Sequence, residues 1–435
     1  MTRFARFPSR SLFGHLGAFR RDLLATFSEA ATHGETVWIR VLARNILLTS
    51  DPEITHQLLT SRTASKNTRG YQVLRRLLRD GLLTAEGELW RKHRRIAQPT
   101  FRRESIGAFA AVMAEVGEDG VRTLPDGEVD VARHLMRTTL RIAGLTLFSQ
   151  DVEGAGREIG EAMDQLLHRF SARVLGLSAL LPWLPTRDNR QMKEAVATLD
   201  RVVHSVIDAK RRGSPGDDLL GQFMSARDPE TGEGMGDDQL RDEVLTLLLA
   251  GHETSANALA WTLHELSRHP EVQDAAAAEA RAVAGDGPVT AELSRHLPLI
   301  DRILRESLRL HPPAWILSRR LEADEELGGE LLPKGTYVFC PPYLVHRNPR
   351  HWPDPSRFDP DRFLQEPPAH AWIPFGDGPR RCIGEHFAMM ELRIVLATWL
   401  RRARFLPGPG EVREDASVTL RPRGGLTLRV ARRPM

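Results

Sequence analysis

The stretch Phe375-Gly-Asp-Gly378-Pro-Arg380-Arg-Cys382-Ile-Gly384 pins a cysteine between a glycine- and arginine-rich turn and the start of an amphipathic run. Only two cysteines occur in the 435 residues, so no disulfide framework is available and thiol chemistry at Cys382 is open. The residues from Gly384 onward read as a helix. The free N–H groups and dipole of a helix start favour thiolate over thiol, and Gly378 and Gly384 are expected to provide a tight turn and a close backbone approach to the sulfur. Such a thiolate suits a metal ligand. Structural zinc is a poor match, because Cys382 and His386 lack a second ligand pair. His264 and His269 are five apart, on different helix faces, so "HELSRH" fails as a zinc motif. The turn does not continue as a nucleotide-binding glycine motif.

Three further sets have spacing that allows chemistry. Ala250-Gly-His-Glu253-Thr254-Ser255 sets an acid beside an alcohol in an apolar run. Glu306 and Arg309 are three apart and share one helix face. Trp90-Arg-Lys-His-Arg94 leads a basic stretch, "LWRKHRRIAQPTFRRE". Cys340 reads as a core residue of a strand.

These residues need a large helical frame. "GETVWIRVLARNILLTSDP" is β-branched, apolar and bounded by Gly and Asp-Pro, which predicts a strand pair. From Pro52 to about Pro270 the pattern is mostly helical, with apolar periodicity over 108–121, 131–148 and 191–211. The longest helix is expected over 237–267, with Asp at its start and His269-Pro270 beyond its end; it would extend roughly 45 Å. Its middle is apolar on all sides and so should be buried. A helix over "LPLIDRILRESLRLHPP" stops at Pro312. "GTYVFC" reads as a strand, "NPRHWPDPSRFDPDRF" as irregular chain, and "GEHFAMMELRIVLATWLRRARF" as a final helix.

Composition narrows the class. With 41% hydrophobic and 27% charged residues the chain resembles an ordinary globular protein, and a net charge of +3 argues against a nucleic-acid binder. The N-terminus has no apolar stretch of bilayer-spanning length and no signal-peptide core, so the expectation is a cytoplasmic monomer without a transmembrane anchor. No repeat or long linker divides the chain, and one domain over 1–435 is expected.

The run Phe375-x-x-Gly378-x-Arg380-x-Cys382-x-Gly384 resembles the haem-binding loop of the cytochrome P450 monooxygenase family. Five fixed positions would arise by chance with a probability of about 10⁻⁴. "AGHETS" is similar to the family's oxygen-binding helix motif, Glu306-x-x-Arg309 to its Glu-x-x-Arg, and Trp90-x-x-x-Arg94 to its Trp-x-x-x-Arg. All stand in family order, so the resemblance spans nearly the whole chain. It implies a mainly α fold with small β-sheets, a single body enclosing a haem b. Cys382 would be the proximal iron ligand, with Phe375 packed beside it. Arg380, Trp90, Arg94 and Arg319 would reach the haem propionates as carboxylate-matching forks and donors. Gly251 costs ~1 kcal/mol inside a helix, so with Ala250 it implies a local opening or a close cofactor approach. Thr254 would hydrogen-bond bound O₂ while Glu253 feeds protons; the alternative for Thr254 is a bond to a carbonyl one turn earlier. Glu306 and Arg309 would form a buried structural pair tied to the segment near 357–362.

The implied reaction inserts one atom of O₂ into a hydrophobic small molecule of terpenoid, fatty acyl or polyketide type. Leu82, Leu83, Phe170, Thr246, Leu247, Trp315, Ile316 and Leu317 would line the substrate pocket. The chain lacks flavin, nicotinamide and iron–sulfur motifs, so a ferredoxin or flavoprotein must supply electrons. Arg91, Lys92, Arg95 and Arg381 are expected to form a positive patch that steers this donor. A peroxide-using haem-thiolate peroxygenase and a non-catalytic haem sensor are the competing readings. The Glu253–Thr254 pair argues against the first, and a guarded apolar pocket would argue against the second.

Overall fold

The computed structural model describes residues 4–149, 162, 186–213, 216 and 218–433. Helices dominate, and short strands gather into small sheets. The predicted strand pair forms Thr36–Val41 and Arg44–Thr49, antiparallel with Thr36 opposite Thr49. Around it a mixed six-stranded sheet runs in the order Ala5–Arg6, Thr36–Val41, Arg44–Thr49, Tyr337–Cys340, Leu317–Leu321, Ala64–Ser65. Cys340 is fully buried in its strand, and burial pushes its thiol up to about 12.

Sequence signals mark the helix ends. Asp51 accepts N–H bonds from Glu53 and Ile54 and, with Pro52, starts the helix Pro52–Thr60. The long helix spans Asp237–Arg268, with Asp237 and Asp238 in its first turn where the dipole favours negative charge. It runs without a break through Gly251, so the local opening expected there is absent. Its centre is buried against Val131–Phe148, Arg187–Arg212, Pro298–Leu310 and the cysteine helix Glu385–Arg402. The cysteine helix ends three residues before its apolar pattern does. Ala403–Pro407 leaves it as a strand and pairs with Thr427–Arg432. Strand pairing there, with the Phe405 N–H bonded to Gln273 Oε1, overrides helical periodicity because it supplies other partners for the backbone. The proline-rich 347–364 segment is irregular apart from a 3₁₀ turn, Pro360–Leu364.

One ion pair holds that irregular segment down. On the helix Pro298–Leu310, Arg309 donates to both carboxylate oxygens of Glu306 at 2.6 and 2.8 Å, and neither side chain is exposed. Arg309 also donates to the carbonyls of His346, Pro355 and Arg357. Glu306 accepts the Asp359 N–H at 2.9 Å, and burial pushes its carboxyl up against the pull of Arg309. A guanidinium has five donors in a fixed fork, which is why one residue can fasten several carbonyls at once.

Removing half of such a pair leaves a buried charge without its partner. Arg309→Ala should destabilise the chain by about 3–5 kcal/mol in chemical denaturation. A loss below about 1 kcal/mol would mean that the pair does not hold the segment.

Candidate active site

The turn before the cysteine is closed by one bond, from the Cys382 N–H to the Phe375 carbonyl at 2.8 Å. Gly376 and Gly378 have φ of +75° and +66°. A Cβ on Gly378 would lie 2.7 Å from the Leu59 carbonyl oxygen, so the turn sits directly on the end of the helix Pro52–Thr60 and only glycine fits. Gly384 differs from expectation. Its backbone is ordinary, φ −87°, and its contribution is to cap the cysteine helix and donate its N–H to the sulfur.

Cys382 opens onto a cavity while protein encloses its other sides. Burial pushes its thiol up, which outweighs the Gly384 N–H and the charges of Arg94 and Arg381. The thiolate expected from the turn is therefore not produced by the protein field alone. A bound metal ion would produce it, because coordination deprotonates a thiol outright.

The cavity has a volume of about 1080 Å³, and Trp90, Arg94, Ala250, Gly251, Glu253, Thr254, Arg319, Phe375 and Arg380 line it together with Cys382. Arg380 lies 4.0 Å over the Trp90 ring and donates to the Ala85 carbonyl. Arg94 donates to the Arg381 carbonyl. Arg319 is 4% exposed, whereas its neighbour Arg320 turns away to Glu322. A lysine that sequence reasoning missed, Lys66, is buried beside them, with its Nζ bonded to the Leu83 carbonyl. Nothing in "TASKNTRGY" marks it; only the fold brings it there.

These cations are poorly matched by acids. Among the described residues, Glu86 is the one carboxylate within ion-pair distance of Lys66, Arg319 or Arg380, and it pairs with Arg380 at 3.2 Å. Burial, together with the charges of Arg319 and Arg380, holds the Lys66 ammonium well below its usual range. Burial likewise lowers Arg380 to about 10 against the pull of Glu86. Excess positive charge in an apolar enclosure is costly unless a ligand brings anions. A flat cofactor with two carboxylates and a thiolate-binding metal fits this set of donors.

The acid–alcohol side has two buried carboxyls. Glu253 is 2% exposed and accepts from Thr419 Oγ1 at 2.7 Å; Thr419 in turn accepts from Asn257. Thr254 donates to the Ala250 carbonyl at 2.5 Å, the backbone bond weighed above as its alternative. Gly251 faces open space: a Cβ there would meet no atom within 4 Å. The glycine leaves space on the cavity side of an undistorted helix. The second carboxyl, Glu391, was not singled out from sequence. It lines the cavity from the cysteine helix, accepts from Ser255 at 2.6 Å, and burial pushes it up to about 8.

Leu82, Leu83, Thr246, Leu247, Trp315, Ile316 and Leu317 all line the cavity, while Phe170 lies outside the described residues. The Trp315 indole N–H is committed to the Ser417 carbonyl, so its ring forms a fixed wall. The N-terminal helices Leu16–Arg21 and Leu23–Ala31 also contribute wall, through residues such as Phe19 and Phe27. The expected positive patch is not present as such. Arg91 pairs with Glu88, Lys92 with Glu233, Arg95 with Asp228 and Glu230, and Arg381 with Glu385. Acids close in space but remote in sequence neutralise Lys92 and Arg95, while Arg91 and Arg381 pair with acids three and four residues away. Among the described residues no helix is long and apolar enough to cross a membrane.

A family model described as Cytochrome P450 matches residues 6–428. The chain is 34% identical over 427 residues to a protein named cyclooctatin synthase from Streptomyces melanosporofaciens, covering 96% of this chain and 91% of that protein. It is 33% identical to cyclooctat-9-en-7-ol 5-monooxygenase from the same organism, covering 92% and 88%. It is 34% identical to pentalenene oxygenase from Streptomyces avermitilis, covering 97% and 95%.

The Glu391 environment gives a signed pH prediction. A carboxyl raised to about 8 in the folded state costs nothing below the unfolded value of 4.5, and the cost grows until the pH passes about 8. The stability of Glu391→Gln relative to the parent should therefore rise by up to about 4 kcal/mol between pH 5 and pH 8 in chemical denaturation. A difference that does not change with pH would mean that the buried carboxyl is already ionised at pH 5.

Proposed function

The chain belongs to the cytochrome P450 family, and on that premise we propose that it oxygenates a terpenoid with electrons from a separate ferredoxin or flavoprotein. Members are haem-dependent monooxygenases that use O₂. The observation that carries the reading is the shared cavity, with the Cys382 sulfur on one wall and enclosed cations that exceed their carboxylates on another. Among hydrophobic substrates, the terpenoid class is favoured by relatives named for pentalenene and cyclooctat-9-en-7-ol.

In this reading Cys382 would hold the iron of haem b through its sulfur, and Arg319 and Arg380, with Trp90, Arg94 and Lys66, would hold its two carboxylates. Bound in this way, the cofactor supplies O₂ activation, and a thiolate ligand favours O–O cleavage. The chain's own residues do the rest. Phe375 shields the sulfur from water on the turn side, which keeps the dielectric low around the ligand. Ala250 and Gly251 let the long helix approach the cofactor without a clash. While Thr254 donates to the Ala250 carbonyl its Oγ1 lone pairs are open to a donor in the cavity, and only donation into the cavity needs a side-chain rotation. Glu253, positioned by Thr419, is the adjacent acid that exchanges protons with it. Leu82, Leu83, Thr246, Leu247, Trp315, Ile316 and Leu317 exclude water and orient an apolar substrate by shape.

Two experiments test the reading. With ¹⁸O₂, a reductant and a reconstituted donor, a bound terpenoid should gain one labelled oxygen atom. Equal product from peroxide alone, with none from O₂ plus reductant, would support the peroxygenase instead. Thr254→Ala should retain haem and substrate binding yet divert most reducing equivalents to peroxide or water, a fall in coupling of about tenfold or more, a floor set below the ~10²- to 10⁴-fold that a positioned proton-transfer group contributes. Unchanged coupling would remove Thr254 from the proton path.

A further inference from the structure

On the turn that carries the cysteine, where Asp377 is itself a lining residue of the cavity, His56 meets His370 and Asp377. Nδ1 of His56, from the helix Pro52–Thr60, lies 2.7 Å from Asp377 Oδ2, and Nδ1 of His370 lies 3.1 Å from the same oxygen. The two imidazole rings stack with centroids 3.6 Å apart, and their Nδ1 atoms share one carboxylate oxygen. All three donor atoms fall within 4.8 Å of one another. We propose that His56, His370 and Asp377 form a binding site for one divalent transition-metal ion of the zinc type, separate from the haem site.

Geometry and donor chemistry carry this proposal. Two imidazole nitrogens and a carboxylate oxygen form a three-ligand zinc set that leaves one position for water. With metal–ligand distances of ~2.0–2.1 Å, a tetrahedral site has ligand–ligand edges of roughly 3.3 Å. The observed nitrogen–oxygen contacts, 2.7 and 3.1 Å, are shorter, and the two stacked rings must splay apart for both Nδ1 lone pairs to face one ion. Each histidine would then carry its remaining proton on Nε2 and turn the Nδ1 lone pair to the metal. The three side chains are 32%, 31% and 17% exposed, which gives an ion access and a water ligand room.

The surroundings fix the ligands in place. Asp377 Oδ1 accepts the Gly378 N–H at 2.7 Å, which sets the plane of the carboxylate and leaves Oδ2 for the histidines. His370 adopts φ +58°, a left-handed backbone that side chains other than glycine seldom take. That conformation brings its ring over His56. The close seating of Gly378 on Leu59 keeps the helix and the turn in register. An ion here would therefore join the Pro52–Thr60 helix, the 366–371 loop and the turn leading to Cys382.

The test uses the full haem-loaded chain, stripped of adventitious ions by a chelator and titrated with Zn²⁺ against a metal indicator. One Zn²⁺ should bind per chain, and His56→Gln or His370→Gln should weaken it by about tenfold or more, at least the loss that an outer-sphere partner of a metal site causes. His386→Gln, an exposed histidine on the cysteine helix, should leave the affinity unchanged. An unchanged ferric Soret absorbance in each variant reports an intact fold. Absence of 1:1 binding, or an affinity indifferent to both ligand substitutions, overturns the site. If the variants lose the Soret band, the parent gives the answer through carbethoxylation mapped by peptide mass. Zn²⁺ must protect His56 and His370 while His386 stays reactive, and an unprotected His56 overturns the proposal.

Discussion

Enclosing charge in an apolar body is the constraint on which this structure depends. Lys66, Arg319 and Arg380 are drawn to one side of the cavity with Glu86 as their ion-pair carboxylate, and a thiol is held up by burial on another wall. Water-filled surface would solvate such groups cheaply; an interior does not. The fold tolerates the arrangement because each cation also finds carbonyls, as Lys66 does at Leu83 and Arg380 at Ala85. What remains is a site whose electrostatics are completed by an anionic, metal-bearing cofactor. Binding that cofactor then adds to stability by mass action, so retention of haem and retention of fold are linked quantities.

The scaffold that keeps this site in shape is largely remote from it. Glu306 and Arg309 do not line the cavity, yet their forked bonds fasten the irregular 346–359 backbone beneath the turn. The turn itself rests on the helix Pro52–Thr60 through Gly378 and on the Phe375 carbonyl through the Cys382 N–H. The long helix contributes an opposite wall with Ala250, Gly251 and Thr254. Three separately anchored elements therefore define where the sulfur points, and a loose loop alone would not hold it to the tolerance that ligation requires.

Local chemistry was the part legible in the amino-acid sequence. The turn glycines, the Glu306–Arg309 spacing, the helix limits at Asp237 and His269-Pro270, and the strand pair after Gly34 follow from short-range rules, and the structure has them. Pairings across the fold were not legible. Lys66 and Glu391 join the cavity only through packing, as do the N-terminal helices. The basic run after Trp90 reads as a positive patch until Glu233 and Asp228 fold against it. The same holds for Cys382, whose helix-start position suggested a ready thiolate, whereas its enclosure, which no spacing encodes, reverses the sign. Ala403–Pro407 continues a helical pattern but obeys a strand partner twenty residues away.

On the proposed function, Cys382 and not the strand cysteine would supply the sulfur ligand to a haem in this cavity. The most direct measurement of this is the absorption spectrum of the reduced protein under carbon monoxide, recorded for the parent, Cys382→His and Cys340→Ala. The account predicts a red-shifted Soret band in the parent and in Cys340→Ala, and its loss in Cys382→His. A band that survives Cys382→His, or that disappears in Cys340→Ala, would contradict it.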